Sequence, residues 1–213
     1  MFRIVDIVLG QYDAGIADGI AVRGYRNEAN VAPDSLIETY TAIRVFIDSW
    51  RWSGVPFLLR TGKRLRKKIT EIAIRFKPPV HAIFSKWLMP NDIANTLVIR
   101  IQPDEGIFTN FNSKVPGFEN ILRRVRMSFT FGSSFGEDLP EAYERLLLDA
   151  MTGDSMLYMR NDEIESSWEY ITRLLELREN RAATGLKFYH AGSSGPDEAK
   201  KLALSSGTVW RKL

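Results

Sequence analysis

Between Arg60 and Lys68 the chain reads RTGKRLRKK, which places Arg60, Lys63, Arg64, Arg66, Lys67 and Lys68 within nine residues. Cations at that density repel one another unless an anion answers them. The flanks constrain the run further. Ahead of it, Val55-Pro56-Phe57-Leu58-Leu59 is apolar and leads into a turn at Thr61-Gly62; behind it, residues 69–77 (ITEIAIRFK) alternate with β-branched side chains and predict a strand. The cationic segment is therefore expected to connect two strands and to be held at both ends. Trp50, Trp52, Phe57 and Phe76 around it are expected to pack in the core.

The rest of the chain reads as strands first and helices afterwards. Residues 2–9 (FRIVDIVL) predict a strand that starts almost without preamble, as if cut from something longer. Residues 10–34 carry Gly10, Gly15, Gly19, Gly24 and Pro33 and read as an excursion loop. Residues 35–48 repeat Ile37, Thr39, Thr41, Ile43, Val45 and Ile47 at period two and predict a long strand. After Pro78-Pro79, residues 83–89 suggest a short helix. Residues 96–102, 107–111 and 125–131 predict three more strands joined by short turns, the signature of antiparallel pairing. Past Gly136 the period becomes helical. Pro140 and Glu141 open one helix that carries Tyr143, Leu146, Leu147 and Ala150 and stops at Gly153, while Asp162 with Glu165 has capping-box spacing ahead of Trp168, Ile171, Leu174 and Leu175. Pro196-Asp197-Glu198 starts a last short helix that ends near Gly207. The expected fold is α+β, with a large, mainly antiparallel sheet and helices packed on one face. A sheet face left uncovered by helices would be aromatic-rich and would call for a partner surface.

With 213 residues and 45% hydrophobic side chains, the chain can bury one substantial core, and a single domain is the simpler expectation. A net charge of +3 implies no bulk field for nucleic acid. The chain has no cysteine, which removes disulfides, thiolate nucleophiles and cysteine-based metal sites and suits a reducing compartment. No stretch approaches the roughly 18 apolar residues of a membrane span, and no secretory signal opens the chain. A soluble cytoplasmic protein is expected. His81 and His190 are the two histidines and form no ligand pattern. The glycines of residues 10–24 spell neither a dinucleotide fingerprint nor a phosphate-cradling loop. No catalytic, metal or coenzyme site is expected, which leaves Lys63, projecting from the residue after a glycine, and Lys68, five residues on, as a clamp for a phosphorylated or hydroxyl-rich small molecule. A solvated charged connection is the plain alternative.

Particular motifs are more specific than this pattern. RWSGVPFLLRTGKRL, together with RGY at Gly24, LVIRIQPDEG, YERLLLDAMTGD and SGPDEA, resembles the C-terminal domain of the glucose-6-phosphate dehydrogenase family, in order and at similar spacing from about Val8 onward. The resemblance implies a substrate-binding and dimerisation domain spanning residues 1–213, inactive alone, in an enzyme that oxidises glucose 6-phosphate to 6-phosphogluconolactone with hydride transfer to NADP. It implies that the coenzyme fingerprint and catalytic histidine belong to an N-terminal coenzyme-binding domain absent from this sequence. Lys63 and Lys68 match positions that contact glucose 6-phosphate, and Gln102 matches a further one. Some relatives hold a second, structural NADP on this sheet. The positions that would serve it are Ile69, Ala73, Phe108 and Asn110 here, although Arg60, Arg100 and Trp210 are kept, so the second site is not expected. A homodimer through the sheet is implied, with no nucleic acid or membrane as partner. The rival from another class is a non-catalytic anion- or RNA-binding module derived from this domain.

Overall fold

The computed structural model describes residues 2–78, 94–136, 142–179 and 185–211. His81 and the expected helix over residues 83–89 lie outside them. In chain order the strands are β1 (Phe2–Asp13), β2 (Gly15–Ala17), β3 (Ile20–Val22), β4 (Tyr40–Ile47), β5 (Phe57–Gly62), β6 (Thr70–Arg75), β7 (Thr96–Gln102), β8 (Gly106–Lys114), β9 (Leu122–Thr130) and β10 (Lys187–His190). The helices are α1 (Phe131–Phe135), α2 (Ala142–Thr152), α3 (Asn161–Glu179) and α4 (Asp197–Ser205). The α+β class holds with mainly antiparallel strands, which are shared between two four-stranded sheets and the small β2–β3 hairpin. The chain divides into two compact units, Met1–Lys67 with Tyr158–Leu213, and Lys68–Leu157.

In the first unit the sheet order is β10-β1-β4-β5. β4 pairs antiparallel with β1 and β5, and β10 joins β1 in parallel, with Asp13 opposite His190. The parallel β10 had no counterpart in the sequence reading, since four residues with Lys and His at their ends carry almost no periodic signal. Tyr12, Tyr40, Ala42 and Tyr189 from these strands meet Ala199 and Leu202 of α4 in one buried cluster. α4 is held there by its small residues and by Trp210, whose indole N–H donates to the Ala199 carbonyl at 2.7 Å. Its stop matches expectation, with Gly207 at φ +68.

In the second unit β6-β7-β8-β9 form an antiparallel meander. Register sorts the side chains cleanly by the two-residue period of a strand. Ile72, Ile99, Ile107 and Phe129 line up across one face beside Ile74, Leu97, Thr109 and Met127. The other face carries Ala73, Val98, Phe108 and Ser128, flanked by Arg75, Thr96, Asn110 and Arg126. Val98 and Phe108 are buried. The first face stays exposed at Ile72, Ile107 and Met127 among the described residues.

Several expectations are corrected. The stretch from residue 10 to 34 is more regular than its glycines suggested: β1 runs on to Asp13, and Asp18 (φ 52) with Gly19 (φ 78) closes the two-residue hairpin β2–β3. The strand expected from residue 35 begins only at Tyr40. The backbone before it is taken by a side chain instead: the buried Gln11 amide donates to the carbonyls of Ser35 (3.0 Å) and Ile37 (2.8 Å). Phe131 leaves β9 for α1. At the start of α3 the Glu163 carboxylate, not Glu165, reaches back to the Arg160 N–H. Trp50 is 89% exposed, Trp52 40% and Phe76 50%, so they are not core residues. The two tryptophans sit in or beside the turn that ends at Gly54 (φ 72), where the chain reverses between β4 and β5, and Trp52 meets only the edge of the Phe57 ring among the aromatic contacts of the described residues. α2 and α3 form as their period requires, but Tyr143, Leu147, Met151 and Trp168 remain exposed among the described residues.

One close approach is testable. Gly192 has φ +81, and a Cβ there would lie 1.8 Å from the Ile16 carbonyl oxygen, a backbone atom that cannot swing aside. Gly192→Ala is expected to lower stability by about 3 kcal/mol or more, whereas Gly19→Ala, at φ +78 in open space, should lose only about 1 kcal/mol. Urea unfolding midpoints of the two variants measure the difference.

Candidate functional site

The cationic segment is, as expected, the connection between two strands. Thr61 and Gly62 do not turn but complete the β5 ladder, opposite Thr41 and Tyr40. Gly62 is required there because a Cβ would stand 2.7 Å from the Tyr40 ring. The ladder is then extended by one residue: the Lys63 N–H donates to the Thr39 carbonyl at 2.8 Å. The Lys63 carbonyl accepts from the buried Tyr189 hydroxyl at 2.8 Å. Both backbone groups of Lys63 are therefore engaged by interior partners while its side chain is exposed.

The next residues are fixed from the other side. Arg64 adopts φ +51, a left-handed conformation that a non-glycine residue holds only when neighbours enforce it. Its carbonyl accepts from the Gly192 N–H at 2.8 Å, and the Arg66 N–H donates to the Ser193 carbonyl at 2.9 Å. Leu65 packs against the buried tyrosine cluster. The alternation of one inward leucine with outward cations explains how such a charge run can be ordered. Among the described residues no ion pair engages Lys63 or Lys68.

Lys68 is exposed just before β6 and falls in the second unit, while Lys63 falls in the first. Gln102 ends β7, exposed, and its amide donates to the Thr70 hydroxyl at 3.0 Å across the β6–β7 pair. Thr39 and Tyr189, which fix Lys63, and Tyr40, which packs on Gly62, were missed by sequence reasoning. Nothing in their spacing marks them, since Thr39 and Tyr189 stand 150 residues apart. His190 is an exposed strand residue whose Nδ1 meets the Ala14 carbonyl at 3.0 Å.

The phenols around the loop are poised to stay neutral. Burial pushes Tyr40 up to about 12, with the nearby Arg60 guanidinium pulling the other way. Burial also raises Tyr189, and burial with the Glu28 carboxylate raises Tyr12. Arg60 itself lies over the Trp210 ring at 4.7 Å.

The loop of exposed cations is thus anchored over a buried tyrosine cluster on an α+β scaffold. The profile of the glucose-6-phosphate dehydrogenase C-terminal domain matches residues 3–211, and the chain belongs to that family. It is 47% identical to glucose-6-phosphate 1-dehydrogenase of Chlamydia pneumoniae over 212 residues, and 47% identical to that of Aggregatibacter actinomycetemcomitans over 209 residues. Each match covers 97% of this chain and 41% of the relative, so the chain spans about two-fifths of the length of these proteins. A solved glucose-6-phosphate dehydrogenase in complex with its substrate glucose-6-phosphate superposes with a TM-score of 0.85 at 34% identity, covering 99% of this chain and 43% of that one. The Mycobacterium avium enzyme gives 0.74 at 32%, covering 99% and 42%.

The tyrosine cluster predicts an alkaline weakness. With the folded Tyr40 phenol near 12 and an ordinary phenol near 10, the unfolded chain ionises first, so stability is full below pH 10 and falls between 10 and 12. The Arg60 guanidinium acts on the buried Tyr40 hydroxyl both through its charge and through a side-chain hydrogen bond. Tyr40→Phe is therefore expected to lower the denaturation midpoint slightly at pH 7, the loss of one hydrogen bond, and to reduce its fall between pH 10 and 12, as measured by urea titrations across that range.

Proposed function

We propose that this chain supplies glucose 6-phosphate contacts and the dimer surface of a glucose-6-phosphate dehydrogenase, with Lys63 and Lys68 as the substrate clamp. The observation that carries the reading is the double anchoring of the Lys63 backbone beneath an exposed ammonium. A cation whose backbone is already ordered loses little freedom when an anion arrives, and an ammonium serves a phosphate as a compact point charge. The names of the relatives supply the substrate. Gln102, at the end of β7, is a further contact in this reading.

In the reaction the hydride on C1 of the sugar passes to NADP and the proton on O1 to a general base, leaving the lactone. No residue described above takes either role; in this reading both fall to a coenzyme-binding domain outside these 213 residues, and the 213 residues alone are expected to show no dehydrogenase activity. The residues do not fit a second NADP on the sheet. Ala73 and Asn110 offer no cation, Phe108 no phenol, and the Arg100 guanidinium already lies 5.0 Å over the Phe108 ring. A cytoplasmic setting accompanies this reading, in keeping with a chain that lacks cysteine.

The exposed Trp50 and Trp52 reopen the nucleic-acid alternative, which needs aromatics interleaved with cations. They flank Arg51 and precede β5, whereas Lys63 to Lys68 follow it, so the six-residue strand separates the tryptophans from that run by roughly 20 Å. That separation favours a small anion over a stacked single strand.

Kinetics of the enzyme formed with its coenzyme-binding domain test the clamp. Lys63→Ala should raise KM for glucose 6-phosphate by tenfold or more, since a charged hydrogen bond is worth about 1.5 to 3 kcal/mol, with coenzyme KM little changed. Lys68→Ala should act in the same direction and more weakly, while alanine at Arg64, Arg66 or Lys67 leaves kinetics near normal. Equal losses at all five would mean a diffuse field and no clamp. For the dimer, the ladder through Ile72, Ile99, Ile107 and Phe129 offers an apolar face that is exposed at Ile72, Ile107 and Phe129, as an association surface requires. Ile107→Asp is expected to convert a two-fold dimer into monomer in sedimentation at tens of micromolar, with the circular dichroism spectrum retained; a parent protein that is already monomeric contradicts the assignment.

A further inference from the structure

One peptide plane, the one that joins Lys63 to Arg64, closes the stretch of backbone from which the Lys63 side chain projects. Its carbonyl is that of Lys63, so rotating the plane changes ψ of Lys63 and φ of Arg64 together. Arg64 stands at φ +51, which an unrestrained arginine would leave. The group that holds this carbonyl is the Tyr189 hydroxyl at 2.8 Å.

That hydroxyl is itself aimed. The Tyr189 side chain is buried, with its ring 5.4 Å from Tyr40 at 59° and 6.4 Å from Tyr12 at 67°. A phenol has a single proton to give, and of its acceptors Lys63 O at 2.8 Å is nearer than Thr39 O at 3.2 Å. The Tyr189 oxygen lies 3.1 Å from Thr39 Oγ1, which in turn accepts from the Tyr12 N–H at 3.0 Å. With the single Tyr189 proton given to the Lys63 carbonyl, the threonine hydroxyl is left to donate to the Tyr189 oxygen. The donors thus run in one direction from β1 through Thr39 and β10 to the loop, an arrangement in which each bond strengthens the next.

Resting on the substrate reading above, we infer that Tyr189 is a positioning residue for substrate binding, acting through the Lys63 carbonyl to set where the Lys63 ammonium stands. The burial that raises its phenol keeps it a donor throughout the neutral range. Sequence places Tyr189 126 residues from Lys63, next to no recognised substrate contact.

The test uses Tyr189→Phe in the enzyme formed with its coenzyme-binding domain, which keeps the ring and removes only the hydroxyl. KM for glucose 6-phosphate is expected to rise roughly three- to tenfold, the loss of one neutral hydrogen bond, with kcat and coenzyme KM within about twofold. In a Lys63→Ala background Tyr189→Phe should add nothing, because the effect passes through Lys63. Thr39→Val, which breaks the donor chain one step earlier, should raise the same KM more weakly, and Thr39→Ser should restore it. A Tyr189→Phe enzyme with normal KM, or one whose defect multiplies with that of Lys63→Ala, or in which coenzyme KM rises in parallel, overturns the role of Tyr189 while Lys63 stands. A Lys63→Ala enzyme with unchanged KM overturns the substrate reading and this inference with it.

Discussion

A segment of crowded cations has no reason to be ordered by its own energetics; mutual repulsion favours the extended, solvated chain. What orders it is the anchoring of its first residue to the interior, where Thr39 accepts from the Lys63 N–H and Tyr189 donates to the Lys63 carbonyl. Everything around that pair serves it. β10 lies beside β1 and brings Tyr189 into the cluster with Tyr12 and Tyr40, α4 closes the cluster with Ala199 and Leu202, and the turn after β10 supplies Gly192 and Ser193 to the next links of the loop. The same turn runs against the β2 backbone so closely that Gly15 and Gly192 have no room for a side chain. The loop is ordered because its partners, the buried Tyr189 and the half-buried Thr39, Gly192 and Ser193, are themselves placed by strand pairing and packing.

The second sheet shows a different use of the same material. Its two faces differ sharply because register lines like with like: isoleucines and aromatics across one, arginines, asparagine and threonine across the other around buried Val98 and Phe108. On the polar face the Arg100 and Arg126 guanidiniums both lie over Phe108, at 5.0 and 4.2 Å. Stacking on an aromatic ring accommodates like charges on a face whose acidic side chain is Glu71 on the edge strand. The apolar face has no comparable device among the described residues.

Much of this was legible from residue pattern. The alternation of β6, β7 and β9 and the period of α2 and α3 were read directly, because strand and helix periods depend on local side-chain direction. The glycine at the end of α2, the proline before α4 and the glycine after it were read for the same local reason. Where reading failed, a distant group had intervened. Residues 35–39 alternate like a strand, yet the Gln11 amide binds the Ser35 and Ile37 carbonyls. Trp50, Trp52 and Phe76 look like core residues by type, yet the turn and strand end on which they sit are left uncovered. Residues 10–34 look broken by glycine, yet Asp18-Gly19 is the pair a tight hairpin requires, a signal that was present and unread.

The sequence by itself determined the α+β class, the order of the main elements, the cation run and, through its motifs, the family, since each of these is carried by neighbours in the chain or by residue identity. Tertiary structure alone decided which lysine has a fixed backbone and what fixes it. Thr39, Tyr12 and Tyr189 come together from separate parts of the chain, and hydrogen bonds between them depend on positions set to fractions of an ångström by packing. A pattern of residue types has no record of such distances; only the folded chain does.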